Sequence, residues 1–162
     1  MTDDPERFEP ATPGNRCIAV HVGSALYGVP LDEVQEVIGM RPLTRVFHAT
    51  DAIAGVTSLR GDVLPVLDLG TLLGVASSGL GHDARIVVVR EKTGDRRQAG
   101  LSVDDLAGLR DMPGEGLAPT PSTLSDQARD LVAGVIPTPP PVAVLSVASL
   151  FDSPLVACMS AS

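Results

Sequence analysis

The stretch Ala54-Gly55-Val56-Thr57-Ser58-Leu59-Arg60-Gly61-Asp62-Val63-Leu64-Pro65-Val66-Leu67-Asp68-Leu69 decides how the chain folds. An aliphatic run (Ala52–Leu59) meets a turn at Arg60-Gly61-Asp62, and a second run (Val63–Leu67) returns. That is the outline of a β-hairpin. Gly61 supplies backbone freedom at the turn. Pro65 lacks an amide donor, which places its strand at an edge or a bulge. Asp68 is a helix N-cap, Leu69, Leu72 and Leu73 share one face of a short helix, and Gly74 can end it. Strand, turn, strand and capped helix fit within about twenty residues, the economy of a small β-rich unit.

The same grammar extends outward. Order is expected from Arg16, after an acidic, Pro-rich N-terminal tail over 1–15. In Cys17–Val22, Ile18, Val20 and Val22 alternate with Cys17, Ala19 and His21, which predicts a strand with one core face. Gly23-Ser24 suits a two-residue hairpin turn into Ala25–Leu31. Asp32, with Gln35 three residues on and Gly39 beyond, predicts a short helix burying Val34, Val37 and Ile38. Residues 75–83 read as a connector. Strands are expected at Arg85–Arg90, Ala99–Val103, Leu131–Ile136 and Val142–Leu145. A polar loop spans Glu91–Gln98, a Pro/Gly-rich loop Asp111–Ser122, a helical turn 124–131 and a short helix Val147–Phe151. Residues 153–162 read as a C-terminal tail.

The halves repeat. Ile18-Ala19-Val20 matches Ile86-Val87-Val88 at an offset of 68, and Gly28–Val34 matches Gly100–Leu106 at 72. Ala54-Gly55-Val56 matches Ala133-Gly134-Val135 at 79, and Val66–Leu69 matches Val144–Val147 at 78. The matches stay in order, and the offsets change mainly in loops. Two similar lobe-forming repeats, approximately 17–74 and 84–151, are expected within one domain over 16–152. Each would be marginal alone, so they should share a core. Ser58-Leu59-Arg60-Gly61 in the first half stands where the second has Pro137-Thr138-Pro139-Pro140. Differences between similar lobes are where a specific role is installed.

Composition narrows the function classes. The chain has 162 residues, a 44% hydrophobic fraction, 2% aromatics and a net charge of -8. Acidic excess disfavours phosphate backbones, and four aromatics make a poor stacking platform for single strands, so no nucleic-acid partner is expected. No apolar run approaches the ~20 residues of a membrane span, which predicts no direct membrane insertion. The N-terminus lacks the apolar segment of a secretory signal, so a cytoplasmic location is expected. Cys17 and Cys158 form no CxxC, and His21, His48 and His82 lack ligand spacing, so neither metal nor cofactor is expected. No G-x-S-x-G occurs. His82-Asp83 reads as a solvated connector and Lys92 as a loop residue. Gly79-Leu80-Gly81 precedes a strand, whereas a dinucleotide fingerprint follows one. Asp104-Asp105 reads as a cap, as at Asp32-Glu33. Arg60-Gly61-Asp62 needs no role beyond the turn, and the PxxP-like Pro137–Pro141 stiffens a loop. Catalytic residues are therefore not assigned.

A surface argument remains. Arg60 projects from a tight turn, and Val34, Gln35 and Glu36 lie in the same lobe. An arginine and an exposed carboxylate among small aliphatics suit an interface hot spot. The alternative is that Arg60 only pairs with a neighbouring carboxylate such as Asp62. A small hydrolase or ligand-binding barrel is a further alternative, one that predicts an internal cavity with convergent polar groups.

The stretch Tyr27–Ile38, together with Ala54–Leu69, resembles the CheW-like family, whose pattern is close to G-V-x-N-L-R-G-x-x-x-P-V-x-D-L. Gly100-Leu101-Ser102-Val103-Asp104 is similar to its second-lobe G-x-x-V-D strand. The resemblance runs from about Arg16 to Phe151. It implies a mainly β fold: two intertwined SH3-like five-stranded β-barrel lobes around a shared hydrophobic core, with short helices. It implies a non-catalytic scaffold that couples the cytoplasmic tip of methyl-accepting chemotaxis receptors to the regulatory domain of a CheA-type histidine kinase in receptor arrays at the inner membrane. An adaptor of a motility or developmental kinase pathway is the alternative output. By resemblance Val34, Glu36, Gly55, Thr57 and Arg60 face the receptor, while Ser58 and Gly61 shape the turn. The chain departs from the pattern at Ser58, where the family has Asn, and a hydroxyl has less reach than an amide. Thr44-Arg45-Val46 runs into Phe47-His48 without the usual Pro, and Ser146 stands where Asp is common.

Overall fold

The computed structural model describes residues 16–157, apart from 48, 76–82, 114–115, 123 and 138. The expected N-terminal tail, most of the connector with Gly79-Leu80-Gly81 and His82, and also His48, Thr138 and Cys158 lie outside the described residues. The strands are β1 (Arg16–Val22), β2 (Ala25–Pro30), β3 (Val34–Gly39), β4 (Ile53–Leu59), β5 (Asp62–Asp68), β6 (Arg85–Arg90), β7 (Gln98–Val103), β8 (Asp105–Asp111), β9 (Val132–Ile136) and β10 (Val142–Leu145). Short helices are α1 (Leu69–Leu73), α2 (Asp126–Arg129), α3 (Val147–Asp152) and α4 (Pro154–Ala157).

Two five-stranded sheets result, ordered β8-β1-β2-β10-β9 and β3-β6-β7-β5-β4. Exchanging β1–β5 with β6–β10 converts one order into the other. Each sheet therefore takes strands from both halves of the chain, and the halves are intertwined. The hairpin β1–β2 is completed by β8, β9 and β10, and β6–β7 by β3, β4 and β5.

The repeat reaches backbone detail. Bulges fall at Gln35 and Ala107, offset by 72, and at Ala54 and Ala133, offset by 79. Thr44 exchanges two backbone hydrogen bonds with Val56 (2.8 and 2.9 Å), as Ala118 does with Val135 (2.9 Å each). Both crossings need glycine. A Cβ on Gly55 would lie 2.7 Å from the Thr44 carbonyl oxygen, and one on Gly134 would lie 2.5 Å from Leu117 Cβ and 2.9 Å from the Ala118 carbonyl oxygen. Asp68 caps α1 by accepting from the Thr71 amide (3.3 Å), and Ser146 caps α3 from the Ser149 amide (3.3 Å). Gly74 ends α1 in the left-handed region, as the sequence suggests.

The core has three parts. A central cluster between the sheets holds Val20, Val22, Tyr27, Leu67, Leu72, Leu101, Leu145 and Leu150. Cys17, Ala19, Ile136, Val142 and Val144 form a second cluster in the first sheet, and Leu64, Val66, Ile86 and Val88 a third in the other. Strands of this kind are buried on both faces.

Several expectations are corrected. Residues 34–39 form β3, after a 3-10 turn at Leu31–Glu33, and Asp32 receives Lys92 (2.7 Å) instead of capping a helix. Val34 and Val37 are β-branched and find a partner ladder in β6, which outweighs the local helix signal. Asp105–Asp111 is likewise a strand. In β1 both faces are covered, with Cys17 and Ala19 as buried as Val20 and Val22. The first match of the repeat shifts by one residue: Ala19 opposes Gly28 as Val88 opposes Gly100, an offset of 69. A one-residue slip exchanges the two faces of a strand. Pro65 lies in β5, an interior strand, but pairing with β7 begins only at Val66, so its missing amide interrupts no ladder there. Within the described part of the expected C-terminal tail, Pro154–Ala157 form α4, with Val156 buried and Thr50 Oγ1 donating to the Leu155 carbonyl (2.7 Å).

Candidate functional site

In strand order β3 and β4 are opposite edges of the second sheet. The segment after β3 nevertheless crosses back to β4 at the Thr44–Val56 bridge, so the two edges come together. The hairpin turn between β4 and β5 then faces β3. Arg60 Nε donates to Glu36 Oε2 and Nη2 to Glu36 Oε1, both at 3.0 Å. This is the two-pronged guanidinium–carboxylate geometry, stronger and more directional than a single ion-pair contact. It joins residues 24 apart in sequence, and Arg60 does not turn to Asp62. The pair is wet: Arg60 is 74% exposed and Glu36 27%. Arg60 holds the Glu36 carboxyl below the usual carboxylate range, chiefly by hydrogen bonding, and Glu36 raises Arg60 in return.

The turn itself is strained. Arg60 has φ 53° and Gly61 φ 88°, two successive left-handed residues, as in the turns that match strand twist. Gly61 adopts this freely, whereas a side chain there costs about 1 kcal/mol. Arg60 therefore shares the conformational role first given to Gly61. Ser58 is exposed, and its carbonyl accepts from Arg41 Nη1 at 3.2 Å.

The other candidates divide. Val34 is half-buried and packs against the central core at the start of β3. Thr57 is half-buried on β4, opposite Leu64. Gly55 is buried beneath Leu43 and Thr44, so it shapes the crossing instead of offering a surface. Val63, 74% exposed, extends the turn region with an apolar side chain.

Sequence reasoning missed a second polar cluster. Glu91, 6% exposed, accepts from Arg97 Nε (2.7 Å), Nη2 (2.8 Å) and backbone amide (3.0 Å). Arg97 also reaches Asp152 Oδ1 (2.9 Å) and lies 5.2 Å from the Phe151 ring centroid. The cluster fastens the β6–β7 loop to α3. Its signal was present only as opposite charges at the ends of a loop.

The arrangement offers recognition chemistry. Burial pushes the Cys17 thiol up to about 11, so it stays protonated at neutral pH. His21 is exposed on β1. Asp104 accepts from the Gly23 amide (2.8 Å), 81 residues away, and Asp105 from the Leu106 amide (2.8 Å) at the start of β8, so the pair caps no helix of its own, against the expectation from the sequence. The spaces expected to hold a ligand in a small barrel are occupied by the aliphatic clusters of each sheet. Among the described residues no group of three His, Cys, Asp or Glu could hold a metal ion, and no helix is long and apolar enough to cross a membrane.

Comparison with known proteins agrees with this geometry. The family model described as CheW-like domain matches residues 16–155. The chemotaxis protein CheW of Klebsiella aerogenes is 30% identical over 76% of this chain and 73% of its own length. Protein FrzA of Myxococcus xanthus is 34% identical over 84% of this chain and 82% of its own. The crystal structure of scaffolding protein TtCheW from Thermoanaerobacter tengcongensis superposes with a TM-score of 0.75 at 24% identity, covering 87% of this chain and 94% of that one. With its two intertwined halves and the Gly-Val-Thr-Ser-Leu-Arg-Gly turn at the rim of the second sheet, the chain belongs to the CheW-like family and is a non-catalytic adaptor of chemosensory signalling.

Proposed function

We propose that the rim built by Val34, Glu36, Thr57 and Arg60 is the surface that engages the cytoplasmic tip of a methyl-accepting chemoreceptor, and that a different surface holds the regulatory domain of a CheA-type histidine kinase. The observation that carries this is the forked Arg60–Glu36 pair at a strained, exposed turn. Strain of this kind collects at binding sites, and arginine is enriched among interface hot spots. Gly55, Ser58 and Gly61 set the backbone that presents the pair. Receptor change would reach the kinase through shifts in the population of docked states. Docking would bring the protein to receptor arrays at the inner membrane.

Titration of a purified receptor cytoplasmic fragment tests the assignment. Arg60→Ala is expected to weaken binding by about 2 kcal/mol, roughly 30-fold, with the thermal midpoint nearly unchanged. Unchanged binding by the Arg60→Ala, Glu36→Ala double variant would remove the site. The match to FrzA, a relative not named as a chemotaxis protein, favours a second reading. In that reading the same adaptor serves a motility or developmental kinase pathway.

A further inference from the structure

The rim holds a second arginine, Arg41, that pairs with neither Glu36 nor Asp62. Glu36 gives both oxygens to Arg60. Arg41 stands beside them, close enough to help lower the Glu36 carboxyl, and spends one guanidinium nitrogen on the Ser58 carbonyl. Among the described residues no carboxylate lies within ion-pair distance of Arg41. A backbone carbonyl fixes the direction of a guanidinium without neutralising it, and the remaining donors of its fork stay available. Arg41 is half-buried, so the charge is held in place by the turn and is not free to drift in solvent.

We propose that Arg41 sets the charge preference of this face: it pairs with a carboxylate side chain on the docked partner, so the protein selects an acidic patch at the contact. The inference rests on the partner-facing role of the Arg60 turn. The occupant follows from charge complementarity. With both Glu36 oxygens engaged by Arg60, the guanidinium of Arg41 is the charge on this face without a carboxylate in reach among the described residues, and at that point a partner carboxylate is attracted and a partner cation repelled. Arg41 lies outside the motif residues and is brought to Ser58 only by the crossing at Thr44.

The test uses the full chain and the same receptor cytoplasmic fragment, with binding followed from 50 to 300 mM salt. Arg41→Gln is expected to weaken binding about fivefold and Arg41→Glu about thirtyfold, each with a shallower salt dependence. Arg41→Lys keeps the charge and should stay within about twofold of the unaltered chain. Arg45→Gln makes the same change of charge four residues away and should also stay within about twofold. If Arg41→Lys falls as far as Arg41→Gln, Arg41 only positions Ser58, and the inference is overturned. Equal loss in Arg45→Gln reduces it to general attraction and overturns it too. Wild-type binding by Arg41→Glu while Arg60→Ala still weakens binding removes the role of Arg41 alone. Wild-type binding by both variants removes the docking face as well.

Discussion

The hairpins β4–β5 and β9–β10 occupy equivalent places in the two sheets, yet their rims differ in chemistry. In the second sheet the turn bears Arg60-Gly61 and faces Glu36 on β3. In the first, Gly108 stands on β8 where Glu36 stands on β3, and Pro139 falls where Arg60 does. Arg110 Nη1 reaches the Pro140 carbonyl there (3.0 Å). What the two sheets share is packing: glycines at close crossings, bulges and helix caps. What separates them is surface charge and turn chemistry. The scaffold repeats because it must bury the same faces twice, and the forked arginine–carboxylate pair is confined to one copy.

The strongest challenge to the shared part is steric. Gly55→Ala and Gly134→Ala should each cost about 3 kcal/mol in urea unfolding, since each added Cβ meets backbone or a neighbouring Cβ below 3.0 Å. A large cost at one position and none at the other would break the equivalence of the crossings.

Next comes the contrast between the hairpins β1–β2 and β6–β7. The first closes in two residues, Gly23-Ser24, between Val22 and Ala25. The second uses a longer loop with Glu91 and Arg97 at the same places. Glu91→Gln should cost about 2 kcal/mol at neutral pH by removing charge-assisted hydrogen bonds. Arg97 depresses the folded-state pKa of Glu91. Its stabilisation is therefore full above the unfolded carboxyl value of about 4.3 and lost as pH falls through the lower folded value. Denaturation midpoints of the two proteins should converge as pH drops from 6 to about 3. A gap that stays constant over that range would show that Glu91 acts by packing alone.

The smallest effect belongs to the caps. Asp68→Ala and Ser146→Ala should each cost about 1 kcal/mol, measured the same way, because each removes an acceptor from a helix amide. Near-zero loss at either would mean that packing of α1 or α3 outweighs its cap.

What was legible in the sequence was local. The turn at Arg60-Gly61 and the Asp68 cap are set by neighbours within a few residues, and both stand in the structure. The β3 strand was hidden by its own bulge. With Gln35 extruded, Val34 and Val37 both pack toward the central core, and a spacing of three imitates a helix face. Leu106-Ala107-Gly108-Leu109 carries the same bulge in β8. The register of the repeat slipped because Ile86-Val87-Val88-Val89 is buried on both faces and has no hydrophobic phase. At the site, both Arg60 and Glu36 could be singled out as types, but their pairing depends on the segment after β3 crossing to β4 at the Thr44–Val56 bridge. Arg41 gave no sequence signal, since its place is fixed by a carbonyl 17 residues away.

The most direct measurement is receptor-dependent stimulation of a CheA-type histidine kinase on vesicles carrying a chemoreceptor, with kinase co-purification followed in parallel. The Arg60→Ala, Glu36→Ala variant should retain kinase binding while stimulation falls below about a tenth of that of the unaltered protein. Full stimulation by that variant would contradict a receptor-facing role for the rim.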